Sequence, residues 1–138
     1  MTRQIIIGTR ASPLALAQTE QIVTALHGVV SLPAGAISVR KISTKGDEIL
    51  DRTLAEIGGK GLFTDELDAG LRDGSIDLAV HSLKDLPTAE TPGLVTAAIP
   101  VREDPRALLE PDLVDRWPEV PRRDLNQTLL SATLCHVA

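Results

Sequence analysis

Aromatic residues are almost absent from this sequence, which contains one Phe, one Trp and no Tyr. A surface that stacks unpaired bases needs aromatic rings, and this chain cannot supply several of them. Long basic runs are lacking as well, and 14 Lys and Arg residues stand against 19 Asp and Glu residues, for a net charge of -5. Binding to phosphates needs a basic face. We therefore expect no nucleic-acid partner.

Cysteine and long apolar runs are also scarce. A single Cys excludes an internal disulfide framework. No apolar run approaches the roughly 20 residues that cross a bilayer, and the start of the sequence does not resemble a signal peptide. The sequence thus predicts a cytoplasmic protein that has no membrane partner.

What is present is an aliphatic core and an alternating pattern of strands and helices. Hydrophobic residues make up 43% of the 138 residues, enough for the core of one domain. Short apolar runs predict strands at residues 4–8, 37–42, 76–80 and 94–99. Helical spacing predicts one helix from Pro13 to about Gly28 and another with an apolar stripe of Phe63, Leu67 and Leu71. This alternation is typical of an α/β domain with a largely parallel sheet.

The run 76–80 breaks directly into the polar sequence His81-Ser82-Leu83-Lys84-Asp85. In open α/β sheets, ligands bind outside the carboxyl ends of the strands, so these side chains are expected on the rim of a cleft. The alternative is a solvated connection in which Lys84 and Asp85 have no function.

Three further polar segments follow the same logic. Arg10 and Ser12 lie between the first strand and its helix, where free backbone N–H groups favour anions. Asp47 follows the second strand, and Lys60 lies in a glycine-rich segment before a helix. If each residue is considered alone, Arg10 could be a surface residue paired with a neighbouring acid, and Asp47 could be a turn residue.

If these segments converge, their cations, hydroxyls and carboxylates form a site for a small polyanionic ligand with carboxylate arms. A carboxylate placed among cations can stabilise a cationic intermediate or accept hydrogen bonds from N–H groups. No metal site is predicted, because His27, His81 and His136 lie far apart in the sequence.

Five segments together resemble the porphobilinogen deaminase (hydroxymethylbilane synthase) family in order and spacing. They are Thr9-Arg10-Ala11-Ser12-Pro13-Leu14-Ala15-Leu16, Thr44-Lys45-Gly46-Asp47, Gly58-Gly59-Lys60-Gly61-Leu62-Phe63, His81-Ser82-Leu83-Lys84-Asp85-Leu86-Pro87 and Arg102-Glu103-Asp104-Pro105-Arg106. The resemblance covers about residues 3–109. It implies that residues 1–109 form most of the first domain of a fold like the type II periplasmic binding proteins, in incomplete form.

The same resemblance implies a transferase of tetrapyrrole (haem) biosynthesis that joins four porphobilinogen molecules head to tail and releases ammonia. It implies a monomeric parent enzyme and a dipyrromethane cofactor, whose attachment cysteine is absent from this chain. By resemblance, Asp85 is the catalytic group that contacts pyrrole N–H groups and assists loss of the aminomethyl nitrogen through an azafulvenium-like cation. The residues expected at the cofactor and substrate are Arg10, Ser12, Asp47, Lys60, Ser82 and Lys84.

Residues 110–138 form a divergent tail that does not resemble the family, and a frameshift or truncation would explain it. Neither the arginine-rich segment of the second lobe nor the strand that returns to complete the first domain is recognisable in this tail. We therefore expect an incomplete, inactive fragment. The alternative is a non-catalytic module of the same fold that binds a small anion.

Overall fold

The described part of the chain is built on one five-stranded sheet with helices. The computed structural model describes residues 3–49, 61–101 and 133–138. The strands are β1 (Ile5–Thr9), β2 (Ile37–Lys41), β3 (Leu78–Ser82), β4 (Val95–Ala98) and β5 (Thr133–Val137). Their order across the sheet is β2-β1-β3-β5-β4. The α/β class predicted from the sequence is therefore confirmed.

The direction of the strands divides the sheet into two parts. β1 pairs in parallel with β2 and with β3. β5 is antiparallel to both of its neighbours, β3 and β4. The sequence of the tail predicts no strand that could complete this sheet. That expectation is wrong for Thr133–Val137, which fills the position between β3 and β4.

Among the described residues, three helices accompany the sheet: α1 (Pro13–Val29), the single turn α2 (Lys45–Glu48) and α3 (Asp65–Arg72). α1 starts as predicted, because the Ser12 hydroxyl oxygen accepts a hydrogen bond from the backbone N–H of Ala15 at 3.3 Å and Pro13 takes the first helical position. α3 begins only at Asp65. The prediction that Phe63 belongs to the apolar stripe of this helix is therefore wrong.

The core has two parts, one on each face of the sheet. Successive residues of a strand point to opposite faces. Val80 packs with Ile7 and with Ile22 of α1. Its neighbour Ala79 packs with the α3 cluster, whose other members are Leu67, Leu71, Ile76 and Leu94. The sheet therefore lies between α1 and α3.

β3 differs from its prediction in a way that matters for the site. The apolar run predicts a strand at residues 76–80, whereas the strand begins at Leu78 and includes His81 and Ser82. A 3-10 turn, Leu83–Asp85, follows directly. His81 and Ser82 are thus held in the sheet, and Lys84 and Asp85 lie in a short turn at its edge. No described helix is both long enough and apolar enough to span a membrane.

Candidate functional site

A cavity of about 260 Å³ lies at the carboxyl ends of β1 and β3, beside the start of α1. Five of the seven predicted site residues line it: Arg10, Ser12, Ser82, Lys84 and Asp85. The cavity is slightly smaller than the usual range for a small-molecule site. Segments that are up to 75 residues apart in the sequence therefore meet at one edge of the sheet, as predicted.

Arg10 is the centre of the site. Its Nε lies 3.1 Å from each carboxylate oxygen of Asp47, and its Nη1 lies 3.1 Å from Oδ2 of Asp85. The hydrogen bonding of its guanidinium to Asp47 is the main reason why the pKa of Arg10 is raised, although burial opposes this shift. The same hydrogen bond holds the pKa of Asp47 below its usual range. Arg10 is paired with acids, as the alternative interpretation proposed, but its side chain is only 18% exposed and lines the cavity.

Asp47 has a structural role as well as its contact with Arg10. The Thr44 hydroxyl donates to Oδ2 of Asp47 at 2.7 Å. In addition, the Thr44 backbone N–H donates to Oδ2 of Asp47 at 3.3 Å, and the Asp47 backbone N–H donates to the Thr44 hydroxyl oxygen at 3.3 Å. These bonds form a capping box at the start of α2. Asp47 is not among the residues that line the cavity. It acts on the site by fixing the direction of Arg10.

Phe63, which the helical spacing predicts within the helix, instead contacts Arg10. The guanidinium carbon of Arg10 lies 4.1 Å from the centre of the Phe63 ring, which is the geometry of a cation–π contact. The ring also lies against Gly46, where a Cβ atom would come within 2.7 Å of Cζ and closer to two other ring atoms. The signal in the sequence was weak: a lone aromatic residue after a glycine-rich segment.

The remaining predicted residues differ in their freedom to contact a ligand. The buried Ser82 hydroxyl donates to Oε1 of Gln18 at 2.8 Å, and Ser12 caps α1. Lys84 is exposed at the cavity and forms no ion pair within residues 3–49, 61–101 and 133–138. Lys60 lies outside the described residues.

The charge of the site is balanced among the described residues. Arg10 and Lys84 supply two positive charges, and Asp47 and Asp85 supply two negative charges. Asp85 uses Oδ2 for Arg10, and its side chain remains 15% exposed. Its Oδ1 forms no hydrogen bond to Arg10. The site therefore offers donors for carboxylates and an acceptor for an N–H group.

Asp68, His81 and His136 form a second group of polar side chains near the Arg10–Asp85 pair. The sequence does not predict this group. Burial, with smaller effects of His136 and Arg10, lowers the pKa of His81 to about 4. Burial also raises the pKa of Asp68. The rings of His81 and His136 are 5.6 Å apart, centre to centre. His81 and His136 are therefore close in space, although they lie far apart in the sequence.

Comparison with known proteins identifies relatives of this chain. Residues 5–128 match the family model described as porphobilinogen deaminase, dipyromethane cofactor binding domain. This match extends beyond residue 109, where the resemblance in the sequence analysis ends.

Three curated relatives, each named porphobilinogen deaminase, illustrate the match. The protein from Syntrophotalea carbinolica is 54% identical over 107 residues, covering 77% of this chain and 33% of the relative. The Paenibacillus macerans protein is 50% identical over 113 residues, covering 78% and 34%. The Caulobacter vibrioides protein is 46% identical over 132 residues, covering 88% and 41%.

This chain spans between about a third and two fifths of the length of the curated relatives it matches. The family model nevertheless covers most of the chain, and it includes both Arg10 and Asp85. On that match, the chain belongs to the porphobilinogen deaminase family.

Proposed function

We propose that this chain is the part of a hydroxymethylbilane synthase that binds dipyrromethane and substrate beside Asp85. The reaction of the whole protein is the head-to-tail joining of four porphobilinogen molecules, with release of ammonia, in tetrapyrrole (haem) biosynthesis. One observation carries the proposal: Arg10 and Asp85 form an ion pair in the wall of a small cavity, and only one oxygen of Asp85 is used by Arg10.

The residues present fit a pyrrole that bears carboxylate arms. A pyrrole offers an N–H donor, and Oδ1 of Asp85 is an acceptor at the cavity. Carboxylate arms need cationic or hydroxyl donors, which Lys84, Arg10 and Ser12 provide in the same wall. Hydrogen bonds between ionised partners are stronger than neutral ones.

Asp85 is the proposed catalytic residue. When the aminomethyl nitrogen of porphobilinogen leaves as ammonia, positive charge develops on the substrate, and a fixed carboxylate nearby stabilises that charge. Arg10 holds the Asp85 carboxylate at 3.1 Å, and Asp47 and Phe63 in turn fix Arg10. The dipyrromethane, when bound, supplies the pyrrole carbon to which the first substrate is joined.

The proposal distinguishes residues that contact ligand from residues that position others. Arg10, Ser12 and Lys84 are proposed to contact the carboxylate arms, and Asp47 to position Arg10. Ser82 is proposed to contact an arm after its hydroxyl turns away from Gln18. Lys60 stays a predicted contact outside the described residues. We also propose a cytoplasmic location, and a lobe of the type II periplasmic-binding-protein-like kind. The proposed type of lobe is supported by three parallel strands that lie between helices on both faces of the sheet.

Calorimetric titration of the 138-residue chain with porphobilinogen tests the binding site. Asp85→Asn removes a charged acceptor, so it should weaken binding by about 10- to 100-fold, the equivalent of losing one hydrogen bond to a charged group. Glu20→Gln is the matched control, because it removes one negative charge from an exposed position of α1 that does not line this cavity. It should leave the affinity unchanged.

A second titration separates this proposal from a general anion-binding module. Succinate carries two carboxylates and no N–H group, so the wild-type chain should bind it more weakly than porphobilinogen. Equal affinities, together with no effect of Asp85→Asn, would favour the non-catalytic module. In a full-length protein that contains this sequence, Asp85→Ala should abolish ammonia release while the fold is retained. An unchanged rate would remove Asp85 from its catalytic role.

A further inference from the structure

Three buried side chains come together on the face of the sheet that α3 covers. They are Asp68 of α3, His81 of β3 and His136 of β5, with exposed fractions of 5%, 4% and 7%. The antiparallel register places His136 opposite Ala79, two residues before His81. Ala79 and His81 share one face of the sheet, so both rings lie on that face. Three separate elements thus supply one group each.

Each of these side chains has a buried polar atom that forms no hydrogen bond within the described parts of the chain. The atoms are Oδ1 of Asp68, Nε2 of His81 and Nδ1 of His136. Buried polar atoms almost always have partners, because an unpaired one has lost its hydration without compensation. The two rings meet edge to face at an angle of 79°, which is a packing contact. Three such atoms in one place indicate a missing common partner.

We propose that Asp68, His81 and His136 bind a divalent transition-metal ion of the zinc class. One ligand atom from each residue lies within 4.8 Å of the other two. Tetrahedral Zn²⁺ bonds of 2.0–2.1 Å place ligand atoms about 3.3 Å apart, so small side-chain rotations close the site. Imidazole nitrogen favours Zn²⁺ and its neighbours in the first transition row, whereas Ca²⁺ and Mg²⁺ prefer oxygen ligands alone.

Such an ion would cross-link elements of the fold that the Arg10–Asp85 pair does not connect. It would join α3, β3 and β5 at one point, and it would thereby fasten the tail strand to the sheet. Three protein ligands leave a fourth position open for water or another ligand. His81 also lines the cavity, so the two sites are neighbours. The metal proposal does not depend on the proposed enzymatic function.

The competing explanation is a hydrogen-bonded pair of Asp68 with one histidine, reached by a similar rotation. That pair would need no ion, and its stability would not respond to metal. The chain offers a matched control residue, because His27 is exposed on α1 and does not belong to the cluster.

The test is titration of the EDTA-treated, dialysed 138-residue chain with Zn²⁺ and, for spectroscopy, with Co²⁺. We expect one ion per chain, visible d–d absorption typical of four-coordinate Co²⁺, and a rise in Tm with Zn²⁺ concentration. Asp68→Asn and His136→Gln should each weaken binding at least tenfold and abolish the rise in Tm, while His27→Gln should preserve both.

Circular dichroism of each metal-free variant keeps the result interpretable, since only variants with the wild-type spectrum are compared. If Asp68→Asn does not fold, His136→Gln alone decides the question. Absence of saturable one-to-one binding would overturn the proposal. Binding that survives both substitutions in the cluster would overturn it too, whatever the effect of His27→Gln.

Discussion

The absence of a side chain at Gly46 is expected to let the Phe63 ring lie against the Arg10 guanidinium. The backbone of Gly46 does not have a positive φ, so alanine is allowed there on conformational grounds. A Cβ atom would nevertheless overlap the Phe63 ring, with Cζ at 2.7 Å and two ring atoms nearer. The ring is the movable end of a side chain, and we expect Gly46→Ala to push it away from the Arg10 guanidinium, which now lies 4.1 Å from its centre.

The stability of the single variant is a poor measure of this effect, because two contributions oppose each other. Alanine in place of glycine favours a helix by up to about 1 kcal/mol. Loss of the cation–π contact costs about 0.5–2 kcal/mol, depending on how far the cation is desolvated. A double-mutant cycle with Phe63→Leu isolates the shared contact, since both single substitutions remove it and the double variant loses it only once.

We expect the sum of the two single effects on the free energy of unfolding to exceed the double effect by about 1 kcal/mol. Urea unfolding followed by circular dichroism measures each value. The control cycle pairs Phe63→Leu with Gly28→Ala, because a Cβ at Gly28 meets nothing within 4 Å. That cycle should be additive. If the Gly46 cycle is also additive within about 0.5 kcal/mol, the ring does not transmit the effect and our explanation is wrong.

Two further predictions concern acid stability and the core. The pKa of Asp47 is lowered in the folded state, chiefly by Arg10, so its contribution is present above the unfolded pKa of about 3.9 and is lost as pH falls through the folded value. Urea unfolding of Asp47→Asn between about pH 6 and pH 3 should therefore show a shallower loss of stability than the wild type, and an equal loss would contradict the assignment. Leu67 is fully buried, so Leu67→Ala should lower the free energy of unfolding by about 2–5 kcal/mol. Val29→Ala, at an 80% exposed position, should change it by no more than about 0.5 kcal/mol, and similar losses in both variants would show that the core is misplaced.

The site was more predictable from the sequence than its supporting contacts. Arg10, Ser12 and Asp85 could be placed because strand ends and helix starts have local signals, such as the Ser-Pro cap of α1. The contact of Phe63 with Arg10 depends on the tertiary position of a turn, and no periodic pattern describes it.

The meeting of His81 with His136 was missed for a related reason. It requires the tail to enter the sheet in a particular antiparallel register, across a long separation in the sequence. Local patterns predict the elements, but pairings between distant elements depend on packing of the whole domain. The same limit explains why a largely parallel sheet was expected and a mixed one is observed.

The placement of β5 has a consequence for the order in which the protein folds. Within residues 3–49, 61–101 and 133–138, β4 is bonded in the sheet only to β5, so in this part of the chain Val95–Ala98 gains its sheet neighbour when Thr133–Val137 arrives. During synthesis, β1, α1, β2 and β3 are all made before β5, and their parallel pairing can form first. Closing the long intervening segment carries an entropic cost that must be met before β4 gains any bond. Residues 95–98 should therefore be the last part of the sheet to acquire protected amides as the chain folds.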